Sequence, residues 1–107
     1  MSTRLSTTCA ALLAVLVVAA AVVLHAQNIK PRNGYVPDES TAVAIGEAVM
    51  VPIWGAAAIA KDRPYRATLT NGVWRVEGII PPNTAGGTAV VLLARDDGRI
   101  LRAFHEQ

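Results

Sequence analysis

Few residues in this chain of 107 are of a type that makes or breaks bonds. One cysteine, Cys9, and two histidines, His25 and His105, are its whole supply of soft metal ligands and near-neutral titrating groups. A lone thiol closes no disulfide within the chain, and one Cys with two His falls short of a four-ligand zinc cage. His105 ends the last apolar segment two residues from the terminus, the place of a surface histidine rather than an acid-base catalyst. The acids have structural employment: Asp38 and Glu39 at a helix start, Asp96 and Asp97 in a turn, and Glu77 opposite an arginine on a sheet. Glu106 adjoins His105 in sequence, but neighbours on a strand project to opposite faces and make no dyad. No carboxylate pair is left for general acid-base work. Ser40 and Thr41 have no base beside them, and Gly86-Gly87 is not followed by the lysine and helix that cradle a phosphate. These residues give no reason to expect catalysis, a metal or a cofactor. Arg66, Arg75 and Arg102 are the candidates for contact with a protein partner, as a basic stripe on one sheet face if the register turns Arg102 outward. The formal charge of +2 is too small for a nucleic-acid footprint.

The chain that must position these groups divides into two parts. Residues 1–26 read as a signal peptide: Arg4 without acids, an apolar run from Ala10 to Leu24, and Ala26 before the expected cut. Fifteen apolar residues span about 22 Å as a helix, less than the roughly 30 Å of a hydrocarbon core, so cleavage is favoured over an uncleaved anchor. Cys9 precedes the run and so cannot carry a lipoprotein's lipid. The mature chain, from near Gln27, is cysteine-free and nearly neutral. The expected location is the periplasm or cell envelope, with no membrane contact after cleavage.

Residues 27–37 contain Pro31, Asn33, Gly34 and Pro37 and show no periodicity, an extended lead-in that links rather than folds. The domain is expected over 38–107. Asp38 is suited to cap a helix whose first residue is Glu39. Ala42, Ile45, Val49 and Ile53 recur at helical spacing as the packed face, with Gly46 and Glu47 opposite. Pro52 should break or kink this helix ahead of a short second one over Ala56–Ala60, which Gly55 weakens.

From Pro64 to Gly78 the pattern is a hairpin. Asn71-Gly72 favours a two-residue type I′ turn. That turn sets Thr70 opposite Val73, Leu69 opposite Trp74, Thr68 opposite Arg75, Ala67 opposite Val76 and Arg66 opposite Glu77. Tyr65, Ala67, Leu69, Trp74 and Val76 then share the core face, and Arg66 and Glu77 form a charge pair on the other. Pro81-Pro82-Asn83 and Gly86-Gly87 mark a longer connection, followed by an apolar strand over 88–94, a turn at Asp97-Gly98 and a last strand over 99–105. A two-residue turn sets Val91 opposite Phe104; a three-residue turn sets it opposite Ala103. Either way the third strand is apolar on both faces, to be covered by sheet curvature, the second helix and the lead-in, or else by another subunit. Helix followed by four antiparallel strands is an α+β roll. Its core is small enough that forming a homodimer would help it.

The ordered string Gly34-Tyr-Val-Pro37-Asp38, Thr41-Ala42, Pro52-Ile-Trp54-Gly55, Pro64-Tyr65, Asn71-Gly72-Val-Trp74, Gly86-Gly87 and Asp97-Gly98 resembles the NTF2 fold immunity protein domain. The order and spacing of these motifs carry the likeness. It implies a helix packed on a four-stranded antiparallel meander, a cystatin-like or NTF2-like roll, and a bacterial protein that neutralises a cognate toxin by binding it. Two other readings stand beside it. One is an envelope interaction module of the PepSY type, against which the early Asn71-Gly72 hairpin and the Pro52-to-Gly55 string argue. The other is a small NTF2-like roll enzyme, which requires a deep pocket lined by a buried acid or histidine.

Overall fold

The computed structural model describes residues 26–107. The leader through His25 lies outside them. Helix α1 spans Glu39–Trp54 and α2 Ala56–Lys61; strands β1 (Tyr65–Thr70), β2 (Val73–Gly78), β3 (Ala89–Ala94) and β4 (Ile100–His105) follow. The strands form one antiparallel sheet in the order β1-β2-β3-β4. It is a pure meander, as the turn spacing predicts.

Asp38 starts α1 as expected. Its extended backbone and its Oδ1, which accepts from the Thr41 N–H at 2.9 Å, the Thr41 hydroxyl at 2.6 Å and the Ser40 hydroxyl at 3.0 Å, satisfy the exposed helix end. Those three donors hold the Asp38 carboxyl below its ordinary value, the Thr41 hydroxyl contributing most. The interruption of the helix falls at Gly55 and not at Pro52, which sits inside the last turn of α1. Pro52 cannot donate to the Ala48 carbonyl, but both residues are exposed, so water can serve that carbonyl. Gly55, at φ 95°, donates to the Val51 carbonyl and accepts from the Ile59 N–H, ending one helix and starting the next.

The packed face of α1 is also displaced from the expected one. Ala42, Gly46 and Met50 are its buried residues, Ile45 and Val49 flank them, and Ile53 is 53% exposed. Spacing of four selects this seam, and its small residues let the helix axis approach β2. An added Cβ on Gly46 would lie 2.8 Å from the Cβ of Val76.

The first hairpin has the expected register at all five named pairs. Asn71 and Gly72 take φ of 50° and 76°, as a type I′ turn requires. At the second hairpin the three-residue alternative describes the middle of the strands, where Val91 faces Ala103 and Leu92 faces Arg102. The loop itself is longer: Gly98 N–H donates to Ala94, Ala94 N–H to Arg99, and a shift at Leu92/Leu93 sets Leu93 against Ile100. The extra residue is Leu101, a bulge that restores the register.

Residues 34–36 are docked rather than linking. Tyr35 and Val36 donate their N–H groups to the Asp96 and Arg95 carbonyls, and Val36 is buried in the core. The Trp74 Nε1–H donates to the Val36 carbonyl at 2.8 Å. This segment, α1, Ile59 of α2 and the inner sheet face enclose one cluster of Val36, Ala42, Met50, Ile59, Tyr65, Ala67, Trp74, Val76, Ala89, Val91 and Leu93. The second helix and the lead-in are thus spent on the inner face, leaving the second face of β3 to other cover.

Candidate binding surfaces

Period-two alternation turns Thr68, Arg66, Arg75, Glu77, Val90, Leu92, Arg102 and Phe104 to the outer face of the sheet. All three arginines singled out in the sequence therefore share a face. Leu92 stands between Arg75 and Arg102, and Val90 between Glu77 and Phe104. Val90 is fully buried although the helices lie on the other side. Its partners in register, Glu77 and Phe104, carry long side chains of the kind that can cover such a position.

The face is mixed in charge. Arg75 Nε lies 3.0 Å from Glu77 and its Nη2 2.6 Å from Glu106, and hydrogen bonding to Glu106, then Glu77, raises the guanidinium further above its ordinary range. Glu77 thus pairs along its own strand with Arg75 rather than across to Arg66. Arg66 takes part in none of the ion pairs among the described residues. The Arg102 guanidinium stacks 4.3 Å from the Phe104 ring centroid, and that of Arg75 lies 5.8 Å from it. Aromatic and guanidinium groups of this kind anchor protein interfaces.

Two concavities lie elsewhere. A pocket of about 480 Å³ sits between the end of α2 and the β2–β3 loop, lined by Lys61, Asp62, Arg63, Ile79, Ile80 and Gly87 among others. Gly87 permits the close pass of this loop over the Glu106 carbonyl, so it is required by contact. A shallower groove runs between the first turns of α1 and the open edge of β1, lined by Asp38, Glu39, Ser40, Val43, Ala44, Glu47 and Tyr65. Glu39 does more there than face a helix end: its Oε1 accepts the Ala67 N–H of the edge strand at 3.2 Å. The space between helix and sheet is filled by Met50, Val76, Val91 and Leu93, and among the described residues no carboxylate or histidine is buried. His105 is exposed at the end of β4, edge-on to Trp54 at 6.2 Å.

Comparison with known proteins adds one decisive finding. The family model described as NTF2 fold immunity protein matches residues 41–107. The chain belongs to this family. Neither a curated protein nor a solved structure gives a match. The helix followed by a four-stranded antiparallel meander is the α+β architecture of an NTF2 fold immunity protein, and the matched stretch holds the whole sheet, α2 and all but the first two residues of α1. The motif residues within it that sequence reading singled out serve the scaffold: Pro52, Trp54 and Gly55 around the helix end, Asn71, Gly72, Asp97 and Gly98 in turns, Trp74 in the core and Gly86-Gly87 in the long loop. Pro37 and Asp38 precede the matched stretch and lead into α1. The groove along β1 was not anticipated. Its one advance signal is the spacing of Glu39, Val43 and Glu47, which stacks two acids on one helix face about an apolar residue.

Proposed function

We propose that this NTF2 fold immunity protein neutralises a toxin protein by binding it, without catalysis of its own. The family match over residues 41–107 carries the reading. The filled interior and the outer face that sets Arg66, Arg75, Arg102 and Phe104 side by side support contact between surfaces over turnover of a small molecule. The apolar run behind Arg4 supports export, so the toxin would be one that acts in or crosses the cell envelope. The test is co-expression with the toxin encoded beside this gene. The pair is expected to co-purify, and cells carrying both are expected to survive; absence of both binding and protection refutes the reading. Export has its own measurement: the intact mass in the envelope fraction should correspond to a chain starting near Gln27, and a full-length mass there counts against cleavage.

A further inference from the structure

On the outer face of the sheet the carboxylates gather on one arginine and leave two others without a counter-charge. Glu77 and Glu106 both engage Arg75, at 3.0 and 2.6 Å. Arg66 stands directly opposite Glu77 across the first hairpin, yet Glu77 turns along its own strand instead. Arg102, opposite Leu92 on β4, resembles Arg66 in taking part in none of the ion pairs among the described residues. Both residues are exposed. Each carries five N–H donors in a planar fork and keeps its charge at any working pH.

The surface between them supplies an independent observation. Leu92 and Phe104 are half-buried and Val90 is buried, on the face away from the helices. The Arg102 guanidinium stacks 4.3 Å from the Phe104 ring centroid, and that of Arg75 approaches the same ring at 5.8 Å. Stacking uses the flat face of a guanidinium and leaves its N–H edge available, so an incoming acid meets a fork that is already ordered. An aromatic ring and arginines around an apolar centre are the composition of a binding hot spot.

The charges on this face discriminate among partners. Glu77 and Glu106 share it with the two unpaired arginines, so a continuous run of phosphates, on a nucleic acid or an anionic bilayer, would be repelled there. A second copy of the chain would bring arginines against arginines, its own carboxylates being engaged already. Discrete carboxylates fit, set against Arg66 and Arg102 alone. Three strand spacings of about 4.8 Å separate these residues, which places the matching acids on the order of 15 Å apart. We infer that the outer sheet face docks an acidic patch of the bound protein, one carboxylate meeting the Arg102 fork beside Phe104 and another meeting Arg66. The inference rests on the binding function proposed above and names the chemistry of that partner.

The test uses the full-length chain in non-ionic detergent, followed by amide chemical shifts. It is titrated with a short peptide alternating glutamate and serine, with a matched glutamine peptide, and with a single-stranded DNA of equal charge. The glutamate peptide should produce shifts centred on Arg66, Leu92, Arg102 and Phe104, the glutamine peptide none, and the DNA weaker ones. Arg66→Gln and Arg102→Gln should each weaken peptide binding about threefold, as for a hydrated pair, and binding of the toxin encoded beside this gene tenfold or more, roughly, where the interface excludes water. Lys61→Gln removes the same charge from the exposed end of α2 and should change neither affinity. Neither arginine variant breaks an ion pair, so their melting temperatures should stay within about 4 °C of the parent, and lost affinity then reads contact rather than folding. Equal response to the glutamate and glutamine peptides, tighter binding of the DNA, an equal effect of Lys61→Gln, or a dimer that Arg102→Gln dissociates overturns the inference. Toxin binding unaffected by both arginine variants removes this docking face but leaves the toxin reading, whereas glutamate-peptide binding at the face with neither toxin binding nor protection does the reverse.

Discussion

Replacing Gly46 by alanine sets two opposed effects against each other. In a helix interior alanine is better than glycine by about 1 kcal/mol, so propensity alone makes Gly46→Ala stabilising. The new methyl, however, would sit 2.7 Å from Val76 Cγ1 and 2.8 Å from Val76 Cβ. Val76 is fully buried on β2 and is flanked in register by Ala67 and Val91, both buried. Its branched Cβ cannot retreat by a rotamer change, and α1 must lift. Overpacking of this kind costs about 1–3 kcal/mol, and the absence of any yielding atom puts this case in the upper half. The net expectation is a loss of about 1–2 kcal/mol, or roughly 5–15 °C in melting temperature for a domain this size. Thermal melts followed by the fluorescence of Trp54 and Trp74 would read it. A second arm isolates the cause: Val76→Ala alone costs roughly 1.5–3 kcal/mol, yet in its background Gly46→Ala should become neutral or stabilising. A Gly46→Ala protein that melts higher than the parent, with Val76 intact, would refute the close approach of α1 to the sheet.

Three further outcomes follow from single contacts. Trp74→Phe leaves the Val36 carbonyl without its donor inside the core; a loss of about 1–3 kcal/mol is expected, together with faster exchange of the Val36 amide, and unchanged exchange would deny the docking of that segment. Asp38→Ala should lower the melting temperature at neutral pH; because the Asp38 carboxyl is held below its ordinary 3.8, its contribution is present above that pH and fades as pH falls through the folded value, so parent and variant melts should converge in acid. Gly72→Ala meets no atom within 4 Å yet must hold φ at 76°, so it reports strain alone and should cost about 1 kcal/mol in a denaturant melt.

Turn chemistry explains why the register of the first hairpin was readable to the residue, although Leu69, expected on the core face, lies beyond the cover of α1 and is 38% exposed. Asn71-Gly72 admits one tight turn, and the alternation on either side agrees with a single register. The second turn was less legible because Gly98 can close loops of several lengths, and the bulge at Leu101 then erases the difference in register by the middle of the strands. Of the expected packed face of α1, Ala42 is fully buried, but the large apolar residues drew the rest of it aside, since a helix lying close to a sheet selects small residues and Gly46 carries no hydrophobic signal. Pro52 misled for a related reason: its missing donor matters only where the orphaned carbonyl is buried. The arginine-bearing face was visible from alternation, but the pairing of Arg75 with Glu106 was not, because Glu106 reaches Arg75 from beyond the end of β4. The β1 groove depends on three-dimensional neighbours 18 to 26 positions apart, Tyr65 against Glu47 and Glu39, which no local pattern records.

The docking of Gly34–Val36 makes the amino-terminal margin of the folded unit narrow. A fragment trimmed to the stretch shared with relatives, beginning at Thr41, would discard Val36 and leave a slot beside Trp74 open to solvent. Signal cleavage would therefore have to fall ahead of Gly34 to keep the product folded, and the cut proposed after Ala26 would leave seven residues before that point.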